Sequence, residues 1–219
     1  MVNRLVVLIL LTVSVVLFGY PATSLPGYLF PGYPAIRLPG YLVQGQIGSQ
    51  LLITMNLAER AKPVGGSYFI AFTVDDTILQ GPQSDSSNWT HYVVYRENRF
   101  FFGRVPRTPF KPFEFQSVRP PEPYLFGQIL PDGRTLRVRV ALADLVTGAS
   151  LPAQIKINFI TVDEFLRPLD ALGRGATERF AFVTLDLRRE NYVAVTDPTG
   201  DAPDRAFDIT GGDIQVTTP

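Results

Sequence analysis

The sequence predicts an all-β protein, an antiparallel β-sandwich of the jelly-roll type, preceded by a hydrophobic signal helix and an arm rich in Pro, Gly and Tyr. Three observations predict it. Apolar residues recur with period two in several separate runs. Turn-forming residues fall between those runs. After the N-terminal segment, no stretch of about ten residues between them carries a helical repeat.

The chain opens with a basic residue, Arg4, an apolar run from Leu5 to Phe18, and a small polar exit through Pro21, Ala22 and Ser24. That run has the length of a signal-peptide core and falls short of the about 20 residues a bilayer-spanning helix needs. Residues 1–24 therefore read either as a cleaved signal peptide or as a retained anchor. Both readings place the rest of the chain outside the cytoplasm, secreted or at the cell surface. Residues 25–45 carry Pro-Gly-Tyr at Pro26, Pro31 and Pro39. Proline fixes φ and removes a donor while glycine permits turns, so this arm is neither helix nor central strand. A spacer and a segment draped over the domain are the two readings of it. The sandwich itself is expected over 46–219.

Within the domain, Leu51, Ile53, Met55 and Leu57 alternate with Leu52, Thr54 and Asn56. Tyr68, Ile70, Phe72 and Val74 alternate with Phe69, Ala71 and Thr73. Leu136, Val138, Val140 and Leu142 alternate with Arg137, Arg139 and Ala141. Ile155 to Phe159 and Ala181 to Leu187 repeat the pattern. Glu97-Asn98 predicts a hairpin between Trp89–Arg96 and Arg99–Val105. Pro131-Asp132-Gly133 predicts another between 125–129 and a strand from Thr135. Short helical turns are expected at Ala143 to Val146 and at Phe165 to Leu172. The proline-laden stretch Arg104 to Pro123 is confined to a sheet edge or a surface loop. A last strand is expected over Asp208–Thr217, either closing the domain's own sheet or pairing with a neighbouring chain.

Composition removes several classes of chemistry. The chain has no cysteine and one histidine, His91, which excludes disulfides, thiolate metal sites, a cysteine nucleophile and multi-histidine zinc sites. Its 20 basic residues cancel its 20 acidic ones, so no net field favours nucleic acid or an anionic membrane. Membrane contact is expected only through a retained signal segment.

Three passages resemble one sandwich superfamily: Tyr68 to Asp76, an aromatic strand then an acidic turn; Trp89 to Tyr95; and Gly133 to Leu145 followed by Gln154 to Val162. The superfamily includes carbohydrate-binding modules of family nine, the sugar- or haem-binding DOMON domains and the C-terminal module of glucodextranase. Asp197-Pro-Thr-Gly-Asp201 with Phe207-Asp-Ile-Thr resembles a phrase that opens such modules, whereas here it closes the chain. The resemblance covers about residues 46–190 and implies a non-catalytic module binding a polysaccharide or glycan. A structural surface protein that self-associates through its arm or its last strand is the alternative.

Sugar recognition needs an aromatic face and polar forks. On a strand, Trp89, His91 and Tyr95 share a side, with Asn88 and Arg96 beside them, and these five are the expected ligand-binding residues if that side faces solvent; a core position for the lone Trp89 is the competing reading. Asp75, Asp76 and Asp85 flank one loop and are the candidate ligands of a structural calcium ion. Asp197, Asp201, Asp204 and Asp208 crowd a second loop. No other cofactor is expected. The haem branch of the resembled superfamily uses Met and His as axial ligands, which implies Met55 and His91 for a haem alternative. Glycoside hydrolysis would call on Asp163, Glu164 or Asp170, but adjacent strand residues face opposite ways, and no catalytic role is expected. Asn88-Trp-Thr90 matches a glycosylation sequon.

Overall fold

Period-two alternation becomes two antiparallel sheets stacked face to face. The computed structural model describes residues 49–105, 122–145, 152–173, 181–187 and 192–217. The expected signal segment and arm lie outside the described residues, as does most of the proline-laden stretch. Among the described residues, the strands are β1 (Gln50–Leu57), β2 (Gly66–Thr73), β3 (His91–Arg96), β4 (Arg99–Arg104), β5 (Glu122–Pro123), β6 (Gly127–Ile129), β7 (Thr135–Ala141), β8 (Gln154–Asp163), β9 (Pro168–Ala171), β10 (Val183–Asp186), β11 (Tyr192–Thr196) and β12 (Ile209–Thr217). A 3-10 turn spans Leu142–Leu145, where a short helical turn was expected.

One sheet runs β11-β12-β1-β7-β6 and the other β10-β8-β2-β3-β4-β5, with β9 also beside β8. Every pair is antiparallel. Leu51, Ile53 and Met55 of β1 and Leu136, Val138 and Val140 of β7 face Tyr68, Ile70 and Phe72 of β2 and Ile155, Ile157 and Phe159 of β8. All twelve are at most 3% exposed, and each such aliphatic side chain adds about 1.5–3 kcal/mol on burial.

Both expected hairpins form. Glu97 and Asn98 adopt φ of 51° and 60°, the left-handed pair that matches strand twist in a two-residue turn. In the second hairpin, Asp132 Oδ1 accepts from the backbone N–H of Arg134 and Thr135 at 2.9 and 3.1 Å. One expectation needs correction, and one open choice is resolved. Residues 168–171 form β9 rather than a helical turn. Asp163 Oδ1 accepts from the N–H groups of Phe165 and Arg167, at 2.9 and 2.8 Å, and turns the chain back onto β8. The last strand, β12, lies between β1 and β11, with Gln50 opposite Thr217. Both its edges are occupied, so it closes its own sheet and offers no free edge to a neighbouring chain.

Gly66 shows how closely the sheets are fitted. A Cβ there would overlap the Val162 carbonyl oxygen of the paired strand and the Phe207 ring. Gly65, beside it, has φ of 85° and open space around it. Gly66→Ala should therefore destabilise the chain by about 3 kcal/mol through forced displacement of β8. Gly65→Ala should cost about 1 kcal/mol through backbone strain alone. Chemical denaturation of both variants checks the order, and equal losses would contradict the packing described.

Candidate functional site

The aromatic platform expected on β3 does not form. Trp89 precedes the strand, is 4% exposed, and packs against Phe69 and Tyr92 at centroid distances of 5.3 and 6.0 Å. Its Nε1 donates to the Gln83 carbonyl at 2.7 Å. The alternation that would have put Trp89 beside His91 fails because Asn88 takes φ of 66° and the chain bends at Thr90. Thr90 Oγ1 donates to the Phe72 carbonyl at 2.9 Å, and its N–H to the same oxygen at 2.8 Å. Trp89 thus joins Phe69, Ala71, Tyr92 and Val94 on the outer face of the seven-stranded sheet, while Val93 and Tyr95 point between the sheets.

The other expected sugar-binding residues are dispersed. Tyr95 is buried between Tyr68 and Phe100, and its hydroxyl donates to Asn98 Oδ1 at 3.1 Å. The Arg96 guanidinium lies 5.3 Å over the Phe101 ring. Asn88 is half-buried, and its carbonyl accepts from Thr73 Oγ1 at 2.5 Å. His91 is fully buried, with its ring on Phe102 and Nδ1 3.1 Å from Thr90 Oγ1.

The first expected metal set also disperses into turn chemistry. Asp75 Oδ1 accepts from the N–H and hydroxyl of Thr77, and Asp85 Oδ1 from those of Ser87. Asp76 Oδ2 accepts from the Ala153 N–H at 3.3 Å. Short acidic side chains in turns satisfy nearby backbone donors, and these three do so separately. For the haem alternative, Met55 and His91 lie on strands of different sheets. Met55 sits between Leu136 and Gly212, and neither side chain is exposed. Of the carboxylates considered for hydrolysis, Asp163 caps its turn and pairs with Arg167, and Glu164 is exposed.

Two features were not assembled by sequence reasoning. The first is the outer face of the five-stranded sheet. Tyr192, Gln215, Leu52 and Arg139 occupy one register row across β11, β12, β1 and β7. The Arg139 N–H donates to the Phe126 carbonyl at 3.0 Å, which extends the row to Phe126. Tyr192 and Phe126 are 55% and 62% exposed at its two ends. The next row holds Ala194, Asp213, Thr54, Arg137 and Gln128. A depression of about 220 Å³ beside Phe126 is lined by Leu52, Gln128, Arg137 and Arg139.

The second feature gathers Asp170 of β9 with Asp197, Asp201 and Asp208 from the β11–β12 connection. One carboxylate oxygen from each of Asp170, Asp197 and Asp201 lies within 4.8 Å of the others. Asp170 accepts from the N–H of Ala171 and of Ile209, yet burial pushes it up to about 8, with Asp197 and Asp201 adding repulsion. Burial first, then Asp201 and Asp208, push Asp197 up to about 7 against the pull of the Gly173 N–H. Asp208 is raised by burial as well. The second loop's remaining acid, Asp204, pairs instead with Lys62 at 2.5 Å.

Compared with models of protein families, with curated proteins and with solved structures, the chain matches none.

His91 supplies a test of the interior. Burial, and then the charge of Arg104, lower it from 6.5 to about 4. Between those values the unfolded chain takes up a proton that the folded chain refuses, so stability falls as pH drops from 6.5 toward 4. The contribution at stake is on the order of 3 kcal/mol. His91→Gln should lose that slope, so the stability difference between wild type and variant should change by this amount over the window. Parallel pH profiles from chemical denaturation would show that His91 is not buried as described.

Proposed function

We propose that this chain is an exported, non-catalytic binding protein that holds a polysaccharide across the outer face of its five-stranded sheet. The register row from Tyr192 to Phe126 is the observation that carries this reading. Strands about 4.8 Å apart make the row about 19 Å long, the reach of a short oligosaccharide. Exposed rings at both ends offer flat apolar faces for the C–H side of pyranose units. Gln215, Arg139, Arg137, Gln128 and Asp213 lie between and beside them, with donors and acceptors for hydroxyl groups. The basic start and apolar run of residues 1–24 support export. Turn capping by Asp163 supports a role without hydrolysis.

Binding belongs to this face in the proposal, and Trp89 takes no part in it. The full-length chain should be retained by at least one of a panel of β-glucan, xylan, mannan and chitin. Tyr192→Ala and Phe126→Ala should each weaken retention about tenfold, equivalent to about 1.4 kcal/mol, with melting temperature unchanged. Trp89→Phe should bind as wild type does. Retention by none of the four, or undiminished retention by both alanine variants, would overturn the reading.

A further inference from the structure

We infer that Asp170, Asp197, Asp201 and Asp208 form a calcium site, which fastens the β11–β12 connection to the β9 edge of the opposite sheet. The inference stands apart from the saccharide reading and uses none of its residues. Two oxygens bound to one calcium ion at about 2.4 Å can be no more than about 4.8 Å apart. The oxygens of Asp170, Asp197 and Asp201 meet that limit pairwise. Asp208 lies close enough to Asp201 for the two carboxylates to repel each other.

Unmatched oxygens supply the second, independent observation. Asp197 and Asp208 are 8% and 1% exposed. Each gives one oxygen to a backbone donor: Asp197 Oδ1 accepts from Gly173 N–H at 2.6 Å, and Asp208 Oδ2 from Gly200 N–H at 2.8 Å. The other oxygens, Asp197 Oδ2 and Asp208 Oδ1, are buried without a hydrogen-bond partner among the described residues. Both carboxylates face Asp201, which repels each of them. Buried carboxylates with an unmatched oxygen, set among further carboxylates, require a cation to be stable in ionised form. Arg205 acts on Asp208 from a distance, but its Nε lies 3.5 Å from Glu59.

The donor set chooses the ion. Four carboxylates, with no imidazole or thiolate among them, suit a hard cation. Oxygens drawn from a strand and an irregular loop suit calcium, which tolerates uneven geometry, better than magnesium, which demands a near-ideal octahedron. The site joins elements far apart in sequence, so occupancy acts on the sandwich as a whole.

Titration of the metal-stripped full-length chain with calcium chloride, followed by calorimetry and thermal melting, tests this. One ion per chain should bind, with half-saturation at or below about 10⁻³ M. At about a hundred times the dissociation constant, the melting temperature should rise by about 5–10 °C and return with a chelator. Asp201→Asn, at an exposed position, should remove the calcium response while raising the melting temperature of the metal-free chain, because it relieves repulsion. Asp208→Asn should do the same. A purely structural acid would not show that opposed pair of effects. No calcium-dependent shift up to on the order of 10 mM, or an undiminished shift in both variants, overturns the inference.

Discussion

Everything in this domain depends on which sheet faces are apolar. Two stacked sheets have four faces. Period-two alternation makes the two inner faces apolar, and they bury each other. The seven-stranded sheet is apolar on its outer face as well: β2 is buried along its whole length, and Phe69, Trp89, Tyr92, Val94, Ile160 and Val162 form a second cluster there. The loop before β3 closes over part of this cluster, with the Gln83 carbonyl receiving the Trp89 N–H and the Pro82 carbonyl receiving Asn158 Nδ2 at 2.8 Å. The outer face of the five-stranded sheet is different in kind, because Arg137, Arg139, Gln128, Asp213 and Gln215 alternate with its core residues. It presents side chains that water or a polar ligand can satisfy.

The same economy governs the C-terminal loop. It crosses from the five-stranded sheet to the edge of the other, and backbone groups stranded by that crossing must find partners. Tyr68, fully buried, accepts from the Lys62 N–H and donates to the Ala206 carbonyl, and its ring stacks on Phe207 at 5.0 Å. Thr161 donates to the Phe207 carbonyl at 2.7 Å, and Asp170 takes the Ile209 N–H. The exposed Lys62–Asp204 pair adds little beside these, since solvent screens it. These buried polar bonds hold the loop where Asp197 and Asp201 meet Asp170.

Much of the fold was legible in the sequence. The alternating runs of β1, β2, β7, β8 and β10 each gave the right inner face, because a residue's side of the sheet follows directly from the period. Glu97-Asn98 and Asp132-Gly133 marked their hairpins through backbone chemistry local to the turn. The short strands β5, β9 and β11 were not legible, since two to five residues cannot display a period. Trp89 was misplaced for a related reason: the alternation was carried back through Thr90, where the chain bends. The two candidate sites lay beyond sequence reasoning because each is made by register. Tyr192 and Phe126 become ends of one row only through the pairings of β12, β1 and β7. Asp170 reaches Asp197 and Asp201 only because β9 and the C-terminal loop come from opposite sheets. The crowding of aspartates between 197 and 208 was visible, but their buried partner was not.

The assignment of faces is tested most directly by hydroxyl-radical footprinting of the native full-length chain, read residue by residue. The account predicts rapid labelling of Tyr192, Phe126 and Leu125, and slow labelling of Trp89, Tyr92 and Phe69 until the chain is unfolded. Trp89 labelled as quickly as Tyr192 in the native state would contradict it, and would return the outer face of the seven-stranded sheet to solvent.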